Sequence, residues 1–361
     1  MRYGVTRHFL LLVLGGLLLA GCASAPQQFE YLGGDALSAR QLVWPAPPEA
    51  PRIKLVGELR GEDNFQLSEE QKSSTALKVL RWVVGLSSRF VRKKQLIRPQ
   101  AIVSDEAGRI FVSDVGRSAI FVFDTLNGKF DIWDWARPGE QFTSPIGVAV
   151  DTDGSLLVAD AGLGAVIRLD AQGNPIDEIG ASQLQRPTGL ALDTLNGELY
   201  VADTTAHQVK VFDQAGDLLR VIGGPGTGPG QFNRPVYLSF VRNKLYVSDT
   251  LNARVQVFKP DGELLRVIGE RGLYLGNLTH PKGVAADSDG NVYVTEAFYD
   301  YLLIFDQQGQ FLLPLGGRGQ KPGQFFLPAG VWRDESDKIY VADMFNQRVI
   351  VLQYLGDKTY E

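Results

Sequence analysis

The sequence is poor in the residues on which most enzyme active sites depend. Among 361 residues it has one cysteine and three histidines. A single cysteine excludes an intramolecular disulfide and a thiolate metal cluster. Beyond the N-terminal apolar segment only His207 and His280 remain, whereas a zinc site needs three or four ligands. HExxH, GxSxG and GxxxxGK[ST] motifs are also absent. We therefore expect no catalytic residue, no metal and no cofactor.

The chain has little positive charge to spare. Its formal net charge is −5, and an acidic chain is a poor candidate for binding the phosphate backbone of nucleic acids. Hydrophobic residues make up 44% of the chain and glycines number 40. Many glycines without low complexity indicate many turns. Composition thus favours an all-β protein that does not bind nucleic acid.

The N-terminus carries an apolar run that is too short to span a bilayer. Arg2 and Arg7 precede FLLLVLGGLLLAG, whereas a membrane-spanning helix needs about 20 apolar residues. A basic start followed by a short apolar core is typical of an export signal. The ending LAGC resembles the lipobox of bacterial lipoproteins, which implies cleavage before Cys22 and attachment of lipid to it. An ordinary signal peptide with an incidental cysteine is the alternative.

This resemblance gives the expected organisation of the N-terminal region. Residues 1–21 would be the signal peptide, and the proline-rich residues 22–51 an extended, unpacked tether between lipid and domain. In this class of lipoprotein, Ala23 after the cysteine implies sorting to an outer membrane. We expect the mature chain in the cell envelope of a Gram-negative bacterium, anchored by lipid on Cys22.

Six segments of the chain share one pattern, an aliphatic and aromatic run that ends in an acidic residue. The acids recur at intervals of about 43–47 residues, at Asp114, Asp160, Asp203, Asp249, Glu296 and Asp343. Each segment follows a proline-initiated apolar run and precedes two more apolar runs, which indicates four short strands per unit. Four antiparallel strands repeated six times at this period predict an all-β, six-bladed β-propeller.

The repeated unit also resembles a known family. SDTLNARVQVF in the fourth unit and ADMFNQRVIVL in the sixth carry an N-x-R-V element at Asn252/Arg254 and Asn346/Arg348. With the preceding RPxGVAVD and LYVAD segments, this pattern closely resembles the NHL repeat. The resemblance covers roughly residues 98–355 and implies the six-bladed propeller fold. It implies no single function, since NHL propellers include enzymes, RNA binders and protein scaffolds.

The ring is expected to be closed from the N-terminal side. The sixth unit lacks a fourth strand, and the text around residues 52–59 parallels the fourth strand of the third unit. We therefore predict that strand 52–59 completes the last blade, with blades 1–6 over residues 98–361. Residues 60–97 are predicted to form a short helical insertion. Its basic amphipathic helix would lie on an anionic membrane surface or plug one mouth of the propeller.

Glycine-rich stretches join the predicted blades. GGPGTGPGQF and GGRGQKPGQF each follow a predicted fourth strand and lead into the next blade. A phosphate-binding loop would lead into a helix instead. We interpret these stretches as blade-to-blade crossings, whose recurrent phenylalanine, at Phe142, Phe232 and Phe325, packs between blades.

Charged residues are predicted to gather where the channel of the propeller opens. The basic members precede the prolines of the first strands: Arg98, Arg186, Arg234 and His280. The acidic members are the six that end the second strands. This ring would hold an anionic ligand, or the arginines would pair with the carboxylates and fix neighbouring strands. The excess of acids over bases favours the structural pairing.

The fifth unit breaks the repeat with aromatic residues. EAFYDYL stands where the fourth unit has DTLNARV, which places Phe298, Tyr299 and Tyr301 in a loop, and the sixth unit has Met344 and Phe345 in the equivalent loop. Exposed aromatic clusters are typical of interfaces. These residues would form a binding patch, or would pack against each other or against the helical insertion.

These features together favour a binding protein over an enzyme. We expect a lipid-anchored, non-catalytic propeller that acts as a binding or scaffold module for an envelope protein or a glycan. The alternative is a metal-dependent lactonase or lyase with its site at the channel mouth, since related propellers include such enzymes.

Overall fold

The computed structural model describes residues 27–33, 42–67 and 94–356. Within them the chain forms β-strands and three 3₁₀ turns of three residues each, Glu62–Asn64, Thr250–Asn252 and Met344–Asn346. No helix among the described residues is long and apolar enough to cross a membrane. The predicted signal peptide (1–21), the lipidation site Cys22 and residues 68–93 of the predicted helical insertion lie outside the described residues.

The strands are numbered along the chain. They are β1 (Gln27–Phe29), β2 (Val43–Trp44), β3 (Ile53–Leu59), β4 (Phe65–Leu67), β5 (Pro99–Ser104), β6 (Arg109–Asp114), β7 (Ala119–Asp124), β8 (Lys129–Trp133), β9 (Trp135–Arg137), β10 (Glu140–Gln141), β11 (Pro145–Val150), β12 (Leu156–Asp160), β13 (Ala165–Leu169), β14 (Pro175–Ile179), β15 (Pro187–Asp193), β16 (Glu198–Asp203), β17 (Gln208–Phe212), β18 (Leu218–Ile222), β19 (Pro235–Val241), β20 (Lys244–Asp249), β21 (Arg254–Phe258), β22 (Leu264–Ile268), β23 (Pro281–Ala286), β24 (Val292–Glu296), β25 (Tyr301–Phe305), β26 (Phe311–Gly316), β27 (Pro328–Arg333), β28 (Lys338–Asp343) and β29 (Arg348–Tyr354).

Six antiparallel sheets form the six predicted blades. Blades 1 to 5 are the four-stranded sheets β5–β8, β11–β14, β15–β18, β19–β22 and β23–β26, each in sequence order. The first strands of successive blades pack against each other around a central axis, and β27 of blade 6 contacts β5 of blade 1. The structure thus confirms an all-β six-bladed propeller.

The core of the protein lies between the blades. Six clusters of buried apolar residues occur, one at each interface between neighbouring blades. The second and third strands of blade 1 are mostly apolar and buried because both of their faces are covered by neighbouring blades. The phenylalanines of the crossings join these clusters: Phe142, Phe232 and Phe325 are all buried, as the sequence predicts.

The predicted ring closure is confirmed. Blade 6 has the order β2–β3–β29–β28–β27, so that β3 supplies its fourth strand. The pairing of β3 with β29 runs antiparallel from Leu59 opposite Val349 to Ile53 opposite Tyr354. Buried Arg348 ties the two ends of the chain together, since its Nη1 donates to Glu58 Oε1 at 2.5 Å. This closure pairs the edge of β29 that would otherwise be open.

The segment expected to be an unpacked tether differs from that expectation where the structure describes it. Residues 27–33 and 42–51 pack on blade 6 and on the β3–β4 segment. β1 pairs with β4, and Leu32 exchanges backbone hydrogen bonds with Glu58 at 3.0 Å in both directions. Trp44 covers Gly323, where an added Cβ would lie 2.8 Å from its ring. The tether prediction was wrong here because apolar side chains in this segment, such as Phe29 and Trp44, pack against the apolar clusters of the blades.

Candidate binding face

One face of the propeller carries all the residues that the repeat analysis singled out. We call it the mouth face; here the first strands begin, the second strands end and the blades are joined. In each blade the first proline of the first strand lies opposite the acid that ends the second strand, as Pro99 lies opposite Asp114 and Pro281 opposite Glu296. The repeat thus brings the basic residues, the acids and the aromatic loops to a single end of the molecule.

The six acids are buried anchors for the backbone. Each is at most 1% exposed. Asp114 accepts hydrogen bonds from the amides of Ile97 (2.6 Å), Arg98 (3.0 Å) and Gly116 (2.8 Å). It therefore clamps the start of the first strand to the turn that follows the second. Burial raises the pKa of Asp114, and the amide hydrogen bonds oppose that effect.

The acids of the other blades repeat this arrangement. Asp160 accepts from the amides of Thr143 (2.8 Å) and Ser144 (3.0 Å), and Glu296 accepts from that of Thr279 (2.7 Å). A carboxylate that accepts several amide hydrogen bonds is stabilised without any cation. The acids therefore belong to the fold and are not available as ligands at the surface.

The predicted pairing of these acids with Arg98, Arg186 and Arg234 does not occur. In each blade the backbone amide of the arginine, or of the residue before it, donates to the acid, as Arg186 N does to Asp203 Oδ1 at 2.9 Å. The arginine side chain itself is exposed. Within the described part of the chain, none of the three guanidinium groups has a hydrogen bond or an ion pair. Arg98 and Arg186 donate their own N–H groups to the carboxylate, whereas Asn233 donates to Asp249 and the N–H of Arg234 donates to His207 Nδ1 at 3.2 Å.

Other cations pair with three of the acids. They are Lys210 with Asp203, Arg254 with Asp249 and Arg348 with Asp343, each at 2.8 Å. Arg254 and Arg348 are the arginines of the N-x-R-V elements, and Lys210 occupies a different strand position. Sequence reasoning missed this role, although the shared N-x-R-V spacing was its visible signal.

The channel is filled just below the mouth by a tyrosine. Tyr237 of blade 4 donates from its hydroxyl to the carbonyl oxygen of Val331 in blade 6 at 3.2 Å. An added Cβ on Gly330 would lie 2.9 Å from Cε2 of the same ring. The side chain therefore crosses the central axis, and burial raises its pKa. It forms a floor beneath the residues that line the entrance.

The entrance above this floor, which we call the vestibule, is lined by the second residue of each first strand. Those partly exposed are Gln100, Ile146, Val236 and Lys282, whereas Thr188 and Ala329 are buried. Around its rim lie the residues before the prolines, three of which are the exposed arginines and one the exposed His280. The His280 ring stacks on Phe298 with 6.0 Å between centroids.

A groove lies on the same face between blades 4 and 5. Its volume is about 250 Å³, and it is lined by Leu273, Tyr274, Leu275, Gly276, Asn277, Glu296, Tyr299, Tyr301 and Leu303. Leu273 and Tyr274 are 83% and 85% exposed. They lie in the crossing between β22 and β23. The sequence signal for this groove is the apolar segment Leu-Tyr-Leu at 273–275, where other crossings have glycine, proline and polar residues. The sequence prediction of the binding patch did not include it.

The structure divides the predicted aromatic patch. Tyr299 and Tyr301 line the groove, and Phe298 packs edge-on against Tyr299 with 4.9 Å between centroids. Phe345 instead packs on Phe326, at 5.2 Å. Met344, also predicted in the patch, packs into the cluster between blades 6 and 1.

Arg318 lies between the two halves of the patch, with its Nε 3.9 Å from Asp300 Oδ2 and its guanidinium over the Phe326 ring at 4.9 Å. Among the described residues, no ring contact joins Phe298, Tyr299 or Tyr301 to Phe345. Met344 is an interblade residue because its loop begins with a 3₁₀ turn that directs it toward Gln100, whose Nε2 lies 3.0 Å from its sulfur.

The described residues contain no group of three or more histidine, cysteine, aspartate or glutamate side chains arranged to hold a metal ion. The six acids that end the second strands are spread around the ring, one per blade. Each of these carboxylates accepts hydrogen bonds from backbone amides next to its own blade's first strand.

Comparisons with known families agree with the fold. The family model for the NHL repeat matches residues 184–212, and a model described as a 6-bladed beta-propeller matches residues 280–358. The architecture and these matches define the chain as a six-bladed β-propeller with NHL-type repeats.

Similar proteins have diverse roles. The Drosophila melanogaster protein brain tumor is 27% identical over 136 residues, which make up 37% of this chain and 13% of that protein. An auxiliary nutrient binding protein from Bacteroides thetaiotaomicron superposes with a TM-score of 0.58 at 13% identity, covering 72% of this chain and 69% of that one. A gluconolactonase from Xanthomonas campestris gives 0.56 at 17%, covering 92% and 96%. At these identities the structural likeness shows the fold alone.

Proposed function

We propose that the protein is a non-catalytic binding module of the cell envelope, anchored by lipid on Cys22, that holds a protein partner in the groove between blades 4 and 5. The observation that carries this proposal is the groove itself. Leu273 and Tyr274 are among the most exposed large apolar side chains of the described residues, and they lie beside Tyr299 and Tyr301.

Exposed apolar side chains in a concave site are a source of binding free energy. Burying one leucine side chain contributes about 1.5–3 kcal/mol. The groove is supported by a rigid scaffold, because its backbone belongs to the crossing and to the start of β25, both packed on the blade 4–5 core. A partner would thus bind with little ordering of the groove backbone, which favours affinity.

The chemistry of the groove favours a protein over a glycan. Three leucines line the groove beside the tyrosines, and the cores of protein interfaces are more apolar than their rims and enriched in tyrosine. The nutrient binding protein from Bacteroides thetaiotaomicron shares the fold, which supports a binding role in general. Binding of a glycan in the same groove is the alternative outcome.

The test places a photo-crosslinking amino acid at position 274 of the full-length protein in intact cells. We expect one discrete crosslinked protein. The matched control carries the same amino acid at position 195, since Leu195 is 90% exposed but lies in the β15–β16 turn on the opposite face. The discrete product should disappear when Tyr299 and Tyr301 are both changed to serine.

Three results would count against the proposal. They are the same products from positions 274 and 195, retention of the product in a folded Tyr299→Ser/Tyr301→Ser variant, and a purified protein with bound metal whose removal by chelator abolishes a lactonase or lyase activity. A glycan that competes with the crosslink would assign the groove to a sugar instead.

The anchoring is tested separately. Cys22→Ser should prevent lipid attachment and release the processed protein from the membrane fraction. A processed Cys22→Ser protein that remains membrane-bound would show that another element anchors the chain.

A further inference from the structure

Lys282 occupies a position that the fold does not require to be charged. It is the second residue of β23 and lies in the vestibule, between Pro281 at the rim and Gly283 at the level of the channel floor. The equivalent residues of blades 2, 4 and 6 are Ile146, Val236 and Ala329. The repeat therefore accepts an apolar side chain at this place.

The ammonium group of Lys282 has no partner in the part of the chain that the structure describes. The side chain is mostly buried, yet it forms no ion pair and no hydrogen bond there. Burial lowers its pKa. A buried charge without a partner is destabilising, and groups of this kind concentrate at functional sites.

The surroundings of Lys282 are positively charged at the surface. Arg98, Arg186 and Arg234 stand exposed on the rim of the same vestibule, none with an acidic partner among the described residues. The carboxylate of Glu296, which ends the neighbouring strand β24, is bound by the amides of Thr279, His280 and Phe298. The six acids that end the second strands are thus buried and hydrogen-bonded, while the three rim arginines are exposed and unpaired among the described residues.

From this arrangement we propose that the vestibule is a binding site for a small multivalent oxyanion, one group of which meets the ammonium of Lys282 while the rim arginines bind the others. The ring that the sequence predicted is therefore a ligand site formed by the cations alone. Arginine presents paired N–H donors that match carboxylate and phosphate oxygens. The floor formed by Tyr237 limits the site to small ligands. The proposal is independent of the groove, since it uses different residues.

The test is calorimetric titration of the purified protein at low ionic strength with citrate and, separately, with inorganic phosphate. We expect binding of at least one of them, weakened by salt. Preference for citrate assigns the site to carboxylates, and preference for phosphate assigns it to phosphorylated ligands. Failure of both to bind at millimolar concentration would overturn the proposal.

Two classes of variant separate a ligand site from a structural residue. Lys282→Met should weaken binding at least about tenfold and also raise the melting temperature of the free protein, because it removes a buried unpaired charge. Lys244→Met is the matched control and should change neither quantity. Lys244 is exposed at the start of β20, the end of that strand farthest from the mouth face.

Arg186→Gln and Arg234→Gln should each weaken binding severalfold with no change in melting temperature, since both side chains are exposed. These variants keep the test informative should Lys282→Met fail to fold. Unchanged affinity in Lys282→Met or, if that variant does not fold, in both arginine variants would show that the vestibule cations do not bind the anion, and would overturn the proposal.

Discussion

Two crossings between blades have the same backbone and different surfaces. The segment between β18 and β19, Gly223–Phe232, has a β-bridge between Pro225 and Phe232. The segment between β22 and β23 has the equivalent bridge between Arg271 and Leu278, 46 residues later. In both, the last residue donates its amide to a carbonyl near the start, at 2.7 Å in Phe232 and 2.9 Å in Leu278. The scaffold is therefore the same.

The side chains in the middle of the two crossings differ. Thr227, Gly228 and Pro229 in the first correspond to Leu273, Tyr274 and Leu275 in the second. The repeat determines backbone geometry and the buried residue at the end of each crossing. A functional surface arises where one copy departs from the repeat at positions that the fold leaves open.

The largest effect should come from breaking the scaffold that both crossings share. Deleting residues 52–59 removes β3, the fourth strand of blade 6, together with Glu58, the partner of Arg348. We expect loss of cooperative folding, because the ring is left with an exposed edge and buried Arg348 keeps Asp343 but loses Glu58 as a carboxylate partner. An unchanged melting curve by circular dichroism would refute the closure.

The next largest effect concerns the buried residue at the end of each crossing. Phe232 and Leu278 are both 0% exposed. Phe232→Ala should lower the free energy of unfolding by about 3–5 kcal/mol and Leu278→Ala by about 2–5 kcal/mol, measured by denaturant titration. Comparable losses would show that the crossings are structurally equivalent, and a loss confined to one of them would break the comparison.

A smaller effect is expected at the channel floor. Tyr237→Phe removes the hydroxyl that reaches Val331 across the axis and should cost about 0.5–1.5 kcal/mol, the net contribution of one hydrogen bond. The ring still fills the channel, so the fold should persist. Tyr237→Ala is the informative companion, because it opens a cavity and should cost several times more.

The fold was predictable because the sequence contains six copies of the same repeat. Each blade repeats the acid, the proline and the apolar runs, so the strands of a copy that departs from the pattern can be assigned from the other copies. The fourth strand missing from the sixth unit could be assigned to residues 52–59 in the same way. The lack of a free tether at residues 27–33 and 42–51 could not be predicted, since proline content does not reveal that Trp44 and Phe29 have a surface to cover.

The candidate sites were predicted less well, for a related reason. The sequence placed acids and arginines at one mouth, but it did not show that backbone amides would occupy the acids and leave Arg98, Arg186 and Arg234 unpaired. Nor did it single out Lys282 or Tyr274, which are visible only as departures from the repeat. Amide acceptors and exposure are properties of the folded backbone, so patterns of residue type do not report them.

The smallest effect on stability should accompany the largest effect on binding. Leu273→Thr with Tyr274→Ser makes the second crossing resemble the first, and because both side chains are exposed the free energy of unfolding should change by less than about 0.5 kcal/mol. Gly269 and Gly223, which begin the two crossings at φ 76° and 75°, remain in place to support the turn.

The measurement that tests the central claim most directly is the recovery of the groove crosslink in this double variant. With the photo-crosslinker at position 299 and the protein in intact cells, we predict that the discrete product of the wild-type crossing disappears while the melting temperature is unchanged. An undiminished product from the folded double variant would contradict the account, since it would mean that the departure from the repeat at this crossing is not what the partner recognises.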